Sequence, residues 1–179
     1  EEDRLEGYNP YDFSKTCADS ITQIYAQTYN VPAAVSRCGN LYGPGDLNWS
    51  RIVPGTFRSF IFDEAPIIRS DGTYLRDYLF VGDAVDAYLT LAENLPKIKG
   101  QAFNFGTEKP TSVLDLVDMM RDISGKKNIK PKIMATAKGE IKDQYLSSAK
   151  ALKELKWKAR TSLSDALKIS YDWYLDFLK

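Results

Sequence analysis

Tyr11 and Lys15 stand four residues apart, so on a helix the phenol and the ammonium project from one face, one turn apart. A free tyrosine, with a pKa of about 10, is a poor base at neutral pH. An ammonium within roughly 4–6 Å favours the phenolate and draws that pKa down. Lowering it by about three units takes roughly 4 kcal/mol of differential stabilisation, within reach of one partly buried pair plus a cofactor charge. Such a phenol is a general base, able to take a proton from a hydroxyl while hydride leaves the same carbon. The spacing alone is a weak signal, because with eleven tyrosines and many lysines about one such pair arises by chance. Tyr11 is the only tyrosine with lysine four residues on, and its setting must carry the rest of the weight.

That setting reads as the start of a long helix. Asn9 is a good N-cap and Pro10 a good first helical residue, because proline there forfeits an N–H that had no partner. Nothing breaks the pattern from Tyr11 to Tyr29, and Asn30, Val31 and Pro32 close it. One face carries Tyr11, Lys15, Ala18, Thr22 and Tyr25; another carries Phe13, Cys17, Ile21 and Ile24. Either both are core stripes, or the first looks into a site while the second packs on a sheet or a partner subunit.

A buried strand from Val31 to Arg37 follows at once, and helix-then-strand order suits a parallel, doubly wound sheet. It runs into the glycine-rich stretch Cys38 to Asp46, at the strand end where open α/β sheets bind ligands, although a plain turn also explains Gly43-Pro44-Gly45. A helix through Phe57, Phe60 and Ile61 is expected next, then a β-hairpin from Ile67 to Tyr78 about Asp71-Gly72. Asp83 is placed to cap a helix through Val85, Tyr88, Leu91 and Leu95. In isolation, Arg76 and Asp77 read as a surface ion pair of little worth. Ala102 to Gly106 reads as another buried strand. Ser112 caps a helix stopped by Gly125, and two helical stretches, Ser148 to Leu155 and Leu163 to Phe177, finish the chain.

Composition narrows the chemistry. In 179 residues, 44% are hydrophobic and 27% charged, as expected of a globular protein with a sizeable core. Lysine plus arginine and aspartate plus glutamate are equal at 24 each, so no global field favours nucleic acid or an anionic membrane. The lysines from Lys126 to Lys138 lack interleaved aromatics and read as a solvated loop. There is no histidine, which excludes Ser-His-Asp catalysis and histidine-ligated zinc within these residues. Cys17 and Cys38 have no metal-ligand spacing, so no metal site is expected, and a reduced cytoplasmic setting is the natural reading. No apolar stretch approaches a membrane span. The polar opening Glu1-Glu2-Asp3, close before the first helix, reads as the middle of a protein cut in a surface loop.

Several stretches together resemble the C-terminal part of an extended short-chain dehydrogenase/reductase of the nucleotide-sugar epimerase/dehydratase family. They are, in order, Asn9-Pro10-Tyr11 to Lys15, Arg37 to Pro44, Arg76-Asp77-Tyr78-Leu79-Phe80-Val81, Phe103-Asn104-Phe105-Gly106, and Leu155-Lys156-Trp157. Within that family, Gly39 to Pro54 and Ile141 to Ser147 are most similar to CDP-glucose 4,6-dehydratases. Ala159 departs from the family, which usually has proline there.

The resemblance implies an α/β fold: the C-terminal portion of a Rossmann-type doubly wound fold plus a smaller α/β substrate-binding domain. Residues 1–45 would end the NAD(P)-binding domain and residues 46–179 would mainly bind the nucleotide sugar. It implies Tyr11 as base and Lys15 as holder of the nicotinamide ribose, the cofactor being NAD, with NADP as the alternative. Asn40, Arg51 and Arg76 would face the nucleotide-diphosphate sugar, the arginines meeting its diphosphate. Asn104 and Tyr145 would contact the nucleotide side. The family's Gly-x-x-Gly-x-x-Gly turn is not among these residues, so the chain by itself is expected to be inactive. The whole enzyme would be a 4,6-dehydratase acting on an NDP-glucose such as CDP-glucose, and a homodimer through the Tyr11–Lys15 helix. A 4-epimerase, and a non-catalytic nucleotide-sugar-binding module, are the competing readings.

Overall fold

The computed structural model describes residue 1, residues 9–136 and residues 141–179. The polar opening at 2–8 and the end of the lysine-rich run at Lys138 lie outside the described residues. Helix α1 (Pro10–Thr28) begins as its sequence demands: the Asp12 N–H donates to Asn9 Oδ1 at 3.0 Å. Neither of its apolar stripes is buried. Only Ala26 is enclosed, while Tyr11, Phe13, Ile21 and Ile24 are each more than half exposed. What fastens α1 to its neighbour is a half-buried ion pair, Arg37 Nε to Asp19 Oδ2 at 2.8 Å.

Arg37 belongs to β1 (Val35–Cys38), which a single glycine separates from β2 (Asn40–Tyr42). Helix α2 (Ile52–Ile61) follows, with Val53, Phe57 and Phe60 facing inward. Three short strands come next: β3 (Ile67–Ile68), β4 (Leu75–Arg76) and β5 (Tyr78–Phe80). Helix α3 (Val81–Ile98) carries the chain back to β6 (Ala102–Phe105), all four of whose residues are buried. Then come β7 (Thr111–Ser112), α4 (Val113–Ser124), β8 (Lys132–Ile133), β9 (Asp143–Gln144) and α5 (Leu163–Phe177).

Strands β1 and β6 pair in parallel with Val35 opposite Ala102, and β2 and β5 pair in parallel with Asn40 opposite Tyr78. The helices between them make these connections crossovers, as expected of an α/β chain. The caps read from sequence are in place. Ser112 and Ser162 accept the N–H groups of Asp115 and Asp165, and Gly125 ends α4 in the left-handed conformation at φ 71°.

Four local expectations are corrected. The Ile67–Tyr78 stretch is no hairpin: β3 pairs with β8, and β4 with β7 and β9. Its Asp71-Gly72 turn is instead held by α4, whose Val113 and Leu114 N–H groups donate to the carbonyls of Tyr74 and Gly72. Asp83 does not cap α3, which starts at Val81. Its carboxylate, buried at 4% exposure, accepts the N–H groups of Arg160 and Thr161 and the Thr161 hydroxyl. Asp77 is not on the surface either, being 2% exposed and bonded to the loop after β6. Finally, Ala151–Leu155 is one wide π-helical turn rather than the end of an α-helix.

Two apolar clusters hold these elements. One gathers Phe57, Phe60, Ile68, Leu116, Met120 and Tyr174 from α2, β3, α4 and α5. The other gathers Leu79, Leu91, Phe103, Phe105, Leu155 and Trp157, and packs against Cys38 at the end of β1.

Candidate active site

A cleft of about 530 Å³ opens where β2, β4, β5 and the start of α2 converge. Tyr11 stands at its rim from the first turn of α1, 68% exposed, with Lys15 Nζ 5.5 Å from its ring centre. Lys15 itself lines a neighbouring cleft of about 550 Å³ between α1 and β1, together with Asp19, Arg37 and Cys38.

Asn40 reaches the first cleft because Gly39 breaks the strand just before it. The Asn40 N–H donates to the Asp77 carbonyl at 2.7 Å, and a Cβ at Gly39 would come within 2.8 Å of that same oxygen. Arg51 lines the cleft from the N-cap of α2, and its guanidinium bonds Asp46 Oδ2 at 3.1 Å. Arg76 lines it from β4. Its Nη1 donates to the carbonyls of Leu75 and Lys142, and its guanidinium lies 5.7 Å from the Tyr74 ring centre. Tyr11, Asn40, Arg51 and Arg76 therefore share one cleft.

Asn104 and Tyr145 do not join them among the lining residues. Asn104 is buried in β6 at 7% exposure, and its Oδ1 has no hydrogen-bond partner among the described residues. Tyr145, just past β9, is 58% exposed.

The cleft also takes Tyr42, Arg69, Tyr74 and Tyr78, which sequence reasoning did not single out. Tyr42 and Tyr78 meet edge to face, with centroids 6.4 Å apart. Burial pushes the Tyr78 phenol up to about 12 despite Arg76 nearby, and burial with the Asp83 carboxylate raises Tyr42. Both stay protonated at neutral pH and can only offer hydrogen bonds. No sequence signal marked Tyr78, because a corner at Asp77 puts it in a different strand and sheet from Arg76. Three guanidinium groups, an amide and phenols around one opening suit an anionic, polyhydroxylated ligand. Cys38, raised by burial, is a weak nucleophile and stands outside this opening.

The model of the NAD dependent epimerase/dehydratase family matches residues 1–106. UDP-glucose 4-epimerase 3 of rice, Oryza sativa subsp. japonica, is 31% identical over 193 residues, a match covering 97% of this chain and 52% of that protein. Among solved structures, the UDP-glucose 4-epimerase of Thermotoga maritima with UDP-glucose superposes at a TM-score of 0.90 and 28% identity, over 97% of this chain and 56% of that one. The dTDP-glucose 4,6-dehydratase of Bacillus anthracis, in complex with NAD, gives 0.85 and 25% over 98% and 55%. The chain spans about half the length of these proteins.

Proposed function

The chain belongs to the NAD dependent epimerase/dehydratase family, and we propose that it is the C-terminal, substrate-holding part of a nicotinamide-dependent nucleotide-sugar 4,6-dehydratase, a lyase. The observation that carries this reading is the convergence of Tyr11, Asn40, Arg51 and Arg76 on one cleft. Arg51 and Arg76 bind the diphosphate of an NDP-glucose such as CDP-glucose, where planar permanent cations suit charged oxygens. Asn40 faces the sugar, and Asn104 and Tyr145 serve the nucleotide side. Residues 1–45 complete the cofactor-binding domain, and residues 46–179 mainly hold the substrate.

The cofactor is NAD, which when bound supplies the acceptor and donor for the hydride leaving C4 and returning at C6. Tyr11 takes the proton of the C4 hydroxyl, and Lys15 holds the nicotinamide ribose. Its ammonium sets a positive charge beside the phenol that exchanges the proton. With C4 oxidised, water leaves across C5–C6. A 4-epimerase is the second reading, favoured by the names of the rice and Thermotoga maritima relatives. It shares the C4 oxidation and returns hydride to the opposite face. The exposed Phe13, Ile21 and Ile24 of α1 support a homodimer through that helix. The protein acts in the cytoplasm, a setting in which its two cysteines remain free thiols.

Calorimetric titration of the chain with CDP and UDP tests the cleft. Binding that weakens with salt is expected, and no heat with either nucleotide refutes the reading. These residues hold no glycine-rich pyrophosphate turn, so the chain alone is inactive and binds NAD poorly. Tight NAD binding by it counts equally against the reading.

A further inference from the structure

At Asp77, as at Gly39, the chain passes from one sheet to another across a single residue. Asp77 is the only residue between β4, which pairs with β7 and β9, and β5, which pairs with β2. Its main chain serves both sides of the corner: its N–H donates to the Gln144 carbonyl at 3.2 Å, and its carbonyl accepts the Asn40 N–H at 2.7 Å. Its side chain locks a third segment. The Thr107 N–H and hydroxyl donate to Asp77 Oδ1 at 2.9 and 2.6 Å, and the Glu108 N–H donates to Oδ2 at 3.4 Å. Gly106 lets this loop approach, since a Cβ there would come 2.2 Å from Asp77 Oδ2. The loop leads directly into β7, where Thr111 lies opposite Arg76.

A carboxylate 2% exposed is costly to bury unless its oxygens are satisfied, and among the described residues its donors come from that one loop. Asp77 does not line the cleft, so it reaches a ligand only through its neighbours. Those neighbours are Arg76, one residue earlier, and Asn40, bonded to its carbonyl.

We infer that Asp77 is a positioning residue: its buried carboxylate fixes the corner between the two sheets and so the placement of Arg76 relative to Asn40 in the cleft. This rests on the reading of that cleft as a nucleoside-diphosphate site. Such a role has a signature that a purely structural one lacks. Arg76 meets the diphosphate, so misplacing it erodes the preference for a diphosphate over the matching monophosphate, rather than binding as a whole.

The test titrates the full 179-residue chain with CDP, CMP, UDP and UMP, with urea unfolding run alongside to confirm that each variant is folded. Asp77→Asn keeps the size but turns an amide N–H₂ toward a donor. It should cut the diphosphate-to-monophosphate affinity ratio by about tenfold, as losing a charge-assisted contact does. Thr107→Val removes the 2.6 Å bond to the carboxylate and should shift the ratio the same way by less, while Thr107→Ser restores it. If Asp77→Asn fails to fold, the two Thr107 variants decide the matter. A folded Asp77→Asn with the wild-type ratio, or Thr107→Val indistinguishable from Thr107→Ser, overturns the role of Asp77 alone. A wild-type chain that binds none of the four overturns the cleft reading and the role with it.

Discussion

Replacing Tyr174 by phenylalanine removes one oxygen from the floor of the molecule and should be felt in two ways. The Tyr174 ring is fully buried against Trp49, Phe57 and Trp173, with centroids 6.0, 6.1 and 5.1 Å away, and phenylalanine keeps those contacts. The hydroxyl donates to the Asp46 carbonyl at 2.8 Å and lies 3.3 Å from that of Gly43. Deleting it leaves those carbonyls short of a donor, which costs about 1–3 kcal/mol. Burial and the neighbouring Asp46 raise the Tyr174 phenol above its ordinary value, with Arg51 opposing them. For such a group the stability is fully present below the unfolded pKa near 10 and is lost as pH rises above it. Ionisation of the unfolded phenol at pH 11 therefore costs the wild type about 1.4 kcal/mol that the variant does not lose. Urea unfolding at pH 8 and pH 11 measures both effects. The variant should be less stable at pH 8, and the gap should narrow by roughly that 1.4 kcal/mol at pH 11. A variant as stable as wild type at pH 8, or a gap that widens with pH, refutes the reasoning.

Other outcomes follow from the same geometry. Arg76→Ala should weaken CDP or UDP binding by roughly 2–3 kcal/mol, the scale of a charge-assisted contact; unchanged calorimetric affinity would strip Arg76 of its role. Phe105→Ala empties a fully buried site whose ring meets Trp157 edge to face at 4.8 Å, and should lower unfolding stability by about 3–5 kcal/mol in urea. In a protein joining these residues to a nicotinamide-binding half, Tyr11→Phe should leave substrate binding intact and lower kcat by roughly 10²–10⁴. Wild-type turnover there would reduce the Tyr11–Lys15 pair to a coincidence of spacing.

Much of the fold was legible because short-range rules fix it. The Asn9, Ser112 and Ser162 caps, the Gly125 stop and the strand ending at Gly106 are each decided within four residues of chain. Apart from the local π-helical turn at Ala151–Leu155, the failures were long-range. Asp71-Gly72 carries a hairpin signature, yet the carbonyls that a hairpin would use are taken by α4, some forty residues on. Asp77 looks like a surface carboxylate and Asp83 like a helix cap until Thr107 and Thr161 arrive to bond them. In the cleft, the conspicuous cations were readable. Tyr42 and Tyr78 were not, since a tyrosine within an apolar run looks like core until a cavity forms beside it. Of the two readings open for the α1 faces, the core-stripe one is not met among the described residues, where both faces stay exposed.

The two apolar clusters are threaded by one chain that passes between them repeatedly: at Tyr78–Leu79, between Phe105 and Val113, between Ile129 and Ala151, and between Trp157 and Leu163. A nick in the long connection after α4 would leave each piece holding parts of both cores, so neither piece could refold without the other. For the same reason, heating should melt both clusters in a single step. The opening lined by Arg51 and Arg76 should therefore adjust to a ligand by small displacements rather than by a wide swing, because elements of both clusters would have to move together.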